Sequence, residues 1–307
     1  MNILVTGCAG FIGSHFVDEA LSRGDSVYGV DVLTYAGKIE NMESFLNDIS
    51  FYKLDICDTA AIEKIVKTNN IEWIVNFAAE SHVDNSIKSC ASFIHSNVHG
   101  VMSLLDVCRK TDCKMFHIST DEVYGTIDIG SFCEEDKLNP RNPYSATKAS
   151  AEHLVNSYYY THNVDFKMVR MSNNFGPRQN QEKFLPTVIR NLNNGNRIPV
   201  YGDGSNVRDW LYVKDASRLI YRILEAGESN TTYNVTYNNE MTNLELVKSV
   251  TDALGLDFSE SIEFVKDRPG HDFRYSIDNS KLLQLGVSPP IKFKVALQET
   301  IESWRNA

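Results

Sequence analysis

The chain begins with a unit that admits few folds. Ile3-Leu4-Val5-Thr6 is a short β-branched run, the pattern of a strand buried on both faces. Gly7-Cys8-Ala9-Gly10-Phe11-Ile12-Gly13 follows, and Ser14 to Leu21 then reads as a helix. Glycines between strand and helix permit a tight turn and close backbone approach. The helix N-terminus then offers unpaired N–H groups to a pyrophosphate. Such a loop is a weak signal alone, and its context strengthens it. Ser26 to Asp31 makes a second strand, ending in an acid about twenty residues past the loop, where it can accept hydrogen bonds from a ribose 2′-OH. The same carboxylate repels a 2′-phosphate, which favours NAD over NADP. A solvated strand-end aspartate is the plain alternative.

The alternation continues. Strands are expected at Phe51–Leu54, Trp73–Phe77, Lys114–Ile118 and Phe166–Met171, with helices at Ala60–Thr68, Phe93–Arg109 and from Tyr144 through Tyr158. Strands alternating with helices predict an α/β fold: a Rossmann-type doubly wound parallel sheet with right-handed crossovers. Gly176-Pro177 marks a turn and a change of domain. Beyond it, helices are expected near Leu185–Asn193, Asp215–Glu225, Asn243–Leu254 and Phe293–Trp304, and a strand at Thr232–Val235. Residues 1–172 should form the NAD-binding domain, with 211–236 returning to it. Residues 173–210 and 237–307 should form a smaller C-terminal α/β substrate-binding domain.

A net charge of −10 argues against a nucleic-acid or anionic-membrane surface. The six cysteines form no Cys-x-x-Cys pair and show no metal spacing with histidine, so reduced thiols, a cytoplasmic location and no metal are expected. No apolar run approaches the ~18–20 residues of a membrane span. Met1-Asn2 leads directly into a strand, without a signal sequence.

The chemistry gathers in two segments, Ser119-Thr120-Asp121-Glu122-Val123-Tyr124-Gly125 and Tyr144-Ser145-Ala146-Thr147-Lys148. Tyr144 and Lys148, four apart on a helix, share one face. Asp121 and Glu122 sit just past a strand's C-terminal end, where open parallel sheets bind ligands. Lys148 one turn away should help Tyr144 ionise, since a free phenol titrates near pH ~10. Two close carboxyls push their pKa values apart, which suits one acid and one base; the residues alone do not say which is protonated.

These residues resemble the extended short-chain dehydrogenase/reductases that act on nucleotide sugars. Within them, Ala79-Glu80-Ser81-His82-Val83-Asp84, Thr120 to Gly125, Tyr201 to Trp210 and Asp267 to Asp272 are similar, almost end to end, to the dTDP-glucose 4,6-dehydratase family. The resemblance implies a lyase with NAD as resident cofactor. It would oxidise C4 of a nucleoside-diphosphate-glucose, eliminate water across C5 and C6, and return the hydride to C6. The 4-keto-6-deoxy product would feed deoxysugar biosynthesis. Tyr144, aided by Thr120 and Lys148, would be the C4 base, Asp121 the acid at the C6 hydroxyl and Glu122 the base at C5. Cofactor contacts implied are Gly7, Gly10, Phe11, Ile12 and Gly13; Asp31, Val32, Leu33 and Thr34 at the ribose; Asp55 and Ile56 at the adenine. Phe77, Ala78, Ala79, Ser81, Ser96, Tyr144, Lys148 and Asn174 continue along the cofactor. Ser81, Thr120, Asn173, Lys183 and Phe184 would meet sugar and phosphates. Pro199, Val200, Tyr201, Arg208 and Asn243 would meet the nucleotide, and Asp267, Arg268 and His271 would close the pocket. A homodimer pairing the helices near 98–109 and 147–160 is implied too.

Cys8, Asn85, Val235-Thr236-Tyr237 and Phe273 depart from the family pattern and leave the nucleotide base open between thymidine and uridine. A UDP-sugar 4-epimerase or UDP-glucuronate decarboxylase would use Tyr144, Lys148 and NAD without needing both acids. A catalytically silent NAD-binding sensor is the alternative from another class.

Overall fold

A computed structural model describes residues 1–266 and 272–305. Asp267, Arg268 and His271 lie outside the described residues. The strands are β1 (Asn2–Thr6), β2 (Ser26–Asp31), β3 (Ser50–Lys53), β4 (Trp73–Asn76), β5 (Lys114–Thr120), β6 (Phe166–Met171), β7 (Asn173–Phe175), β8 (Ile198–Tyr201), β9 (Val207–Tyr212), β10 (Thr231–Val235), β11 (Glu240–Thr242) and β12 (Ile262–Val265). Seven make one sheet in the order β10-β6-β5-β4-β1-β2-β3, and every pair is parallel. The strand order reverses where β1 meets β4, which opens a crevice at the C-terminal ends of those strands.

Two cores cover the sheet's faces. On one, Phe16, Val17 and Ala20 of the helix Phe11–Ser22 join Leu219, Ile220 and Ile223 of the helix Val213–Ala226. On the other, Ile62, Ile65 and Val66 join Leu104, Leu105, Val107, Ala151 and Val155 from the helices Thr59–Thr68, Val101–Thr111 and Pro143–His162. A third core, with Leu185, Val188, Trp210, Leu246, Val250 and Leu297, gathers the C-terminal helices around the small sheet β11-β9-β7 and the pair β12-β8.

Several elements differ from the sequence expectation, among them the short strands β7 and β11 and the two that follow. The helix expected over Phe93–Arg109 has α-helical ends, Ala91–Phe93 and Val101–Thr111, around a π-helical stretch at Ile94–Gly100. A hydrophobic repeat does not register one extra residue in a turn. β12 was not expected at all. Its Phe264 is 60% exposed, so it shows no buried alternation; it forms by parallel pairing with β8, Ile262 opposite Ile198.

Candidate active site

β5 ends at Thr120, and Asp121–Tyr124 turns at once as a single 3₁₀ turn. Thr120 Oγ1 caps that turn by accepting from Glu122 N at 3.3 Å. Gly125 follows at φ +86°, and a Cβ on it would lie 2.6 Å from Asn139 O, so only glycine lets the loop close here. The turn buries Asp121 at 3% exposure and leaves Glu122 half-buried beside it.

Tyr144 and Lys148 come from the helix Pro143–His162. Asn142 and Ser145 form its capping box, and Pro143 at the first position is preorganised for helix. Tyr144 N also donates to Ser86 Oγ at 3.2 Å, which fixes the first turn against the segment Val83–Lys88. Lys148 is fixed against the strand behind it. Its Nζ donates to Ile118 O at 2.5 Å, and burial pulls its pKa down to about 8. The Tyr144 phenol precedes it by one helical turn. That phenol is pushed well up, first by burial and then by the Glu122 charge; only the Thr120 hydroxyl opposes this before the smaller push from Asp121.

The two acids are unequal. Burial drives Asp121 well above the usual carboxyl range, and the charges of Glu122 and Asp209 add to it. Asp209 is held by the Thr236 hydroxyl and by Asn239 N at 2.9 Å. Glu122 is also raised by burial, but the Asn142 amide opposes the rise, as do the Lys183 and Arg208 charges. Both carboxyls are thus pushed up by burial, and the opposing amide and charges at Glu122 set the two apart.

A cavity of about 270 Å³ runs from the glycine loop to this pair. The loop side is Gly7, Gly10, Phe11, Ile12 and Gly13, with Phe77, Ala79 and Ser81 along β4's exit. Thr120, Asp121, Glu122, Tyr144 and Lys148 form the floor, and Asn173, Asn174, Lys183 and Phe184 the far wall. Gly7 has φ +67°, and a Cβ on Gly13 would lie 2.2 Å from Gly7 O. Asp31 ties down the same loop, accepting from Ala9 N at 3.1 Å and Leu33 N at 2.8 Å. Val32, Leu33, Thr34, Asp55, Ala78 and Ser96 stand off the cavity wall, as do Pro199, Tyr201, Arg208 and Asn243. Ile56 and Val200 are core side chains, 5% and 1% exposed, so only their backbone can meet a ligand. The Arg208 guanidinium lies over the Tyr275 ring at 4.5 Å and donates to Asp272 O at 2.9 Å.

Sequence reasoning missed Gln179, Asn180 and Trp210 on the wall and Asn142 behind Glu122. Only the turn signal at Gly176-Pro177 pointed toward the first two. Asn173 Oδ1, Asn174 Oδ1, Gln179 Oε1, Trp210 Nε1 and Asp121 Oδ2 are buried with no partner among the described residues. Each unmet group costs about 1–3 kcal/mol, which a ligand rich in donors and acceptors removes. A glycine loop at a helix N-terminus, facing amide oxygens that still want donors, suits a dinucleotide.

A family model described as GDP-mannose 4,6 dehydratase matches residues 4–300. A dTDP-glucose 4,6-dehydratase of Streptomyces niveus is 42% identical, over 100% of this chain and 93% of its own. The chain belongs to the dTDP-glucose 4,6-dehydratase family. The low-salt glycan biosynthesis protein Agl12 of Haloferax volcanii is 46% identical over 98% of both chains. Among solved structures, the family member DesIV of Streptomyces venezuelae, a dTDP-glucose 4,6-dehydratase with NAD bound, superposes with a TM-score of 0.96 at 40% identity. That likeness covers 100% of this chain and 97% of DesIV.

Proposed function

We propose that the chain is a lyase that dehydrates dTDP-glucose to the 4-keto-6-deoxy sugar with NAD as resident cofactor, for deoxysugar biosynthesis. The carrying observation is the Asp121–Glu122 pair on the cavity floor with Tyr144, both carboxyls raised by burial but only Glu122 opposed by the Asn142 amide and the Lys183 charge. Elimination of water needs both an acid and a base; neither the epimerase nor the decarboxylase reading needs Asp121 and Glu122 together. The glycine loop and the Asn173, Asn174 and Gln179 amides suit the cofactor.

NAD⁺, when bound, supplies a hydride acceptor for C4, a store that returns the hydride to C6, and a positive ring charge. Tyr144 takes the C4 hydroxyl proton, with the Thr120 hydroxyl sharing the load. The resulting C4 ketone acidifies C5–H. Glu122 removes the C5 proton, and Asp121 protonates the departing C6 hydroxyl, so water leaves. Lys148, already lowered to about 8, holds its charge against the β5 backbone behind Tyr144 and positions the helix face. Lys183, whose Nζ donates to Ser81 O at 2.7 Å, places a cation on the far wall for the diphosphate. Arg208 and Asn243 flank the nucleotide side, and Asp31 orients the ribose end.

We assign residues 1–172 and 211–236 to the cofactor domain, and 173–210 and 237–307 to the sugar-nucleotide domain. We also infer a homodimer through the helices near 98–109 and 147–160. Tyr160 is 79% exposed, and Ile94, just before the first of these helices, is 53% exposed, apolar surface that a partner would cover. No helix among the described residues is long and apolar enough to cross a membrane, and a cytoplasmic location follows from this reading. The test is incubation with dTDP-glucose and UDP-glucose separately, with loss of water followed by mass. Dehydration with kcat/KM favouring dTDP-glucose supports the reading; epimerised UDP-glucose without water loss overturns it.

A further inference from the structure

Three metal-ligating side chains meet outside the cavity, past the end of β3. Cys57 follows that strand, and His95 and His99 lie one turn apart in the π-helical stretch, their ring centroids 5.9 Å apart. Cys57 Sγ is 4.0 Å from His95 Nδ1, and one ligand atom from each of the three residues lies within 4.8 Å of the others. Two donors on one tetrahedral zinc stand about 3.4–3.8 Å apart, given Zn–N near ~2.0–2.1 Å and Zn–S near ~2.3 Å. Closing the cluster therefore takes movements of about 1 Å. Both histidines are exposed, so their rings can turn that far and the metal has an entry path.

A second observation is independent of that proximity. Asp55 Oδ2 lies 3.0 Å from His95 Nε2 and accepts its proton. In the neutral ring, that bond leaves His95 Nδ1 free to act as a ligand on the thiol side. A carboxylate behind an imidazole is the arrangement that orients histidine ligands and raises their basicity. Asp55 is fixed in turn, accepting from Cys57 N at 2.8 Å through its other oxygen. The thiol's contacts to His95 are long, 3.6 Å to the carbonyl oxygen and 4.0 Å to Nδ1, and it also interacts with the Asp55 carboxylate; a metal would replace the His95 contacts.

We propose that Cys57, His95 and His99 bind one borderline divalent cation, Zn²⁺ being the best match, with a fourth position left to water. The thiol proton leaves to solvent as the metal binds. Sulfur and imidazole ligands disfavour Mg²⁺ and Ca²⁺, which take oxygen. The sequence offers only the His95-x-x-x-His99 spacing, and the third ligand, Cys57, lies 38 residues before His95.

Cobalt tests this, because a tetrahedral Co²⁺ thiolate has a near-ultraviolet charge-transfer band and visible bands that Zn²⁺ does not. Titrating Co²⁺ into the full chain loaded with NAD should give a single equivalent with both features, bleached by Zn²⁺. Cys57→Ser should remove the charge-transfer band, while Cys133→Ser, at an exposed thiol elsewhere, should leave it. Asp55→Asn should weaken Zn²⁺ binding about 10–100-fold. No band in the unaltered protein, or a band that survives Cys57→Ser, overturns the proposal. Should Cys57→Ser misfold by circular dichroism, His99→Ala, on an exposed side chain, carries the test: unchanged Zn²⁺ affinity there overturns it equally.

Discussion

Asn142 Nδ2 donates to Glu122 Oε2 at 3.0 Å, while Asn142 Oδ1 accepts from Ser145 N at 2.9 Å. One side chain thus caps the helix that carries Tyr144 and holds the carboxylate proposed to work beside it. Asn142→Ala removes both bonds. Loss of the cap should cost about 0.5–2 kcal/mol of stability. Loss of the amide removes the largest influence holding the Glu122 pKa down, so that pKa should rise. Since Glu122 acts as the anion, the acid limb of kcat/KM should move to higher pH. A limb that stays in place would show that Asn142 is only a cap.

The two acids should separate cleanly. Glu122→Gln and Asp121→Asn should each lower dehydration by about 10²–10⁴-fold, as loss of a general base or acid does. NAD content should be unchanged in both, because neither acid is on the glycine-loop side. Mass spectrometry for water loss, with cofactor content by absorbance, reads both quantities.

Tyr144 is coupled to Glu122 by charge. Glu122 is the largest push on the phenol after burial, so Glu122→Gln should lower the Tyr144 pKa. In that variant the first half-reaction survives, and NADH absorbance should grow when dTDP-glucose is added. Its growth should set in at lower pH than C4 oxidation does in the unaltered enzyme, because a phenolate is then easier to form. Tyr144→Phe should abolish that absorbance change.

Asp209 should act on Asp121 from a distance. It is buried, pushed up to about 6 by its burial, and its charge raises Asp121. Asp209→Asn removes that charge, so the Asp121 pKa should fall. As Asp121 acts protonated, the alkaline limb of dehydration should move to lower pH, while NADH formation in single turnover is spared.

At Gly13 the prediction is steric. A Cβ 2.2 Å from Gly7 O cannot be accommodated by a side-chain turn, since the obstacle is backbone. Gly13→Ala should cost about 1–3 kcal/mol, seen as a lower Tm, and should reduce bound NAD by displacing the loop.

Much of this was legible along the chain. The parallel sheet was readable because buried strands and crossover helices alternate with their own periods, and β1 to β6 fell where expected within a residue or two. Gly7, Gly10 and Gly13 were readable because only glycine fits a loop of that shape, and Thr120 to Glu122 because a carboxyl pair at a strand's exit has no use in a core. The π-helical stretch and β12 were not readable, since neither rests on a local hydrophobic period.

What the sequence determined by itself is therefore the fold class, the family and the acid pair, all carried by residues adjacent along the chain. What only the tertiary structure decided is how those residues are charged and oriented. Lys148 is held against Ile118 O, the Asp209 charge arrives from β9 to raise the Asp121 pKa, and Asn142 reaches back to Glu122. Each of these depends on burial and on charges brought from distant segments, and desolvation exists only once the chain has closed around the site.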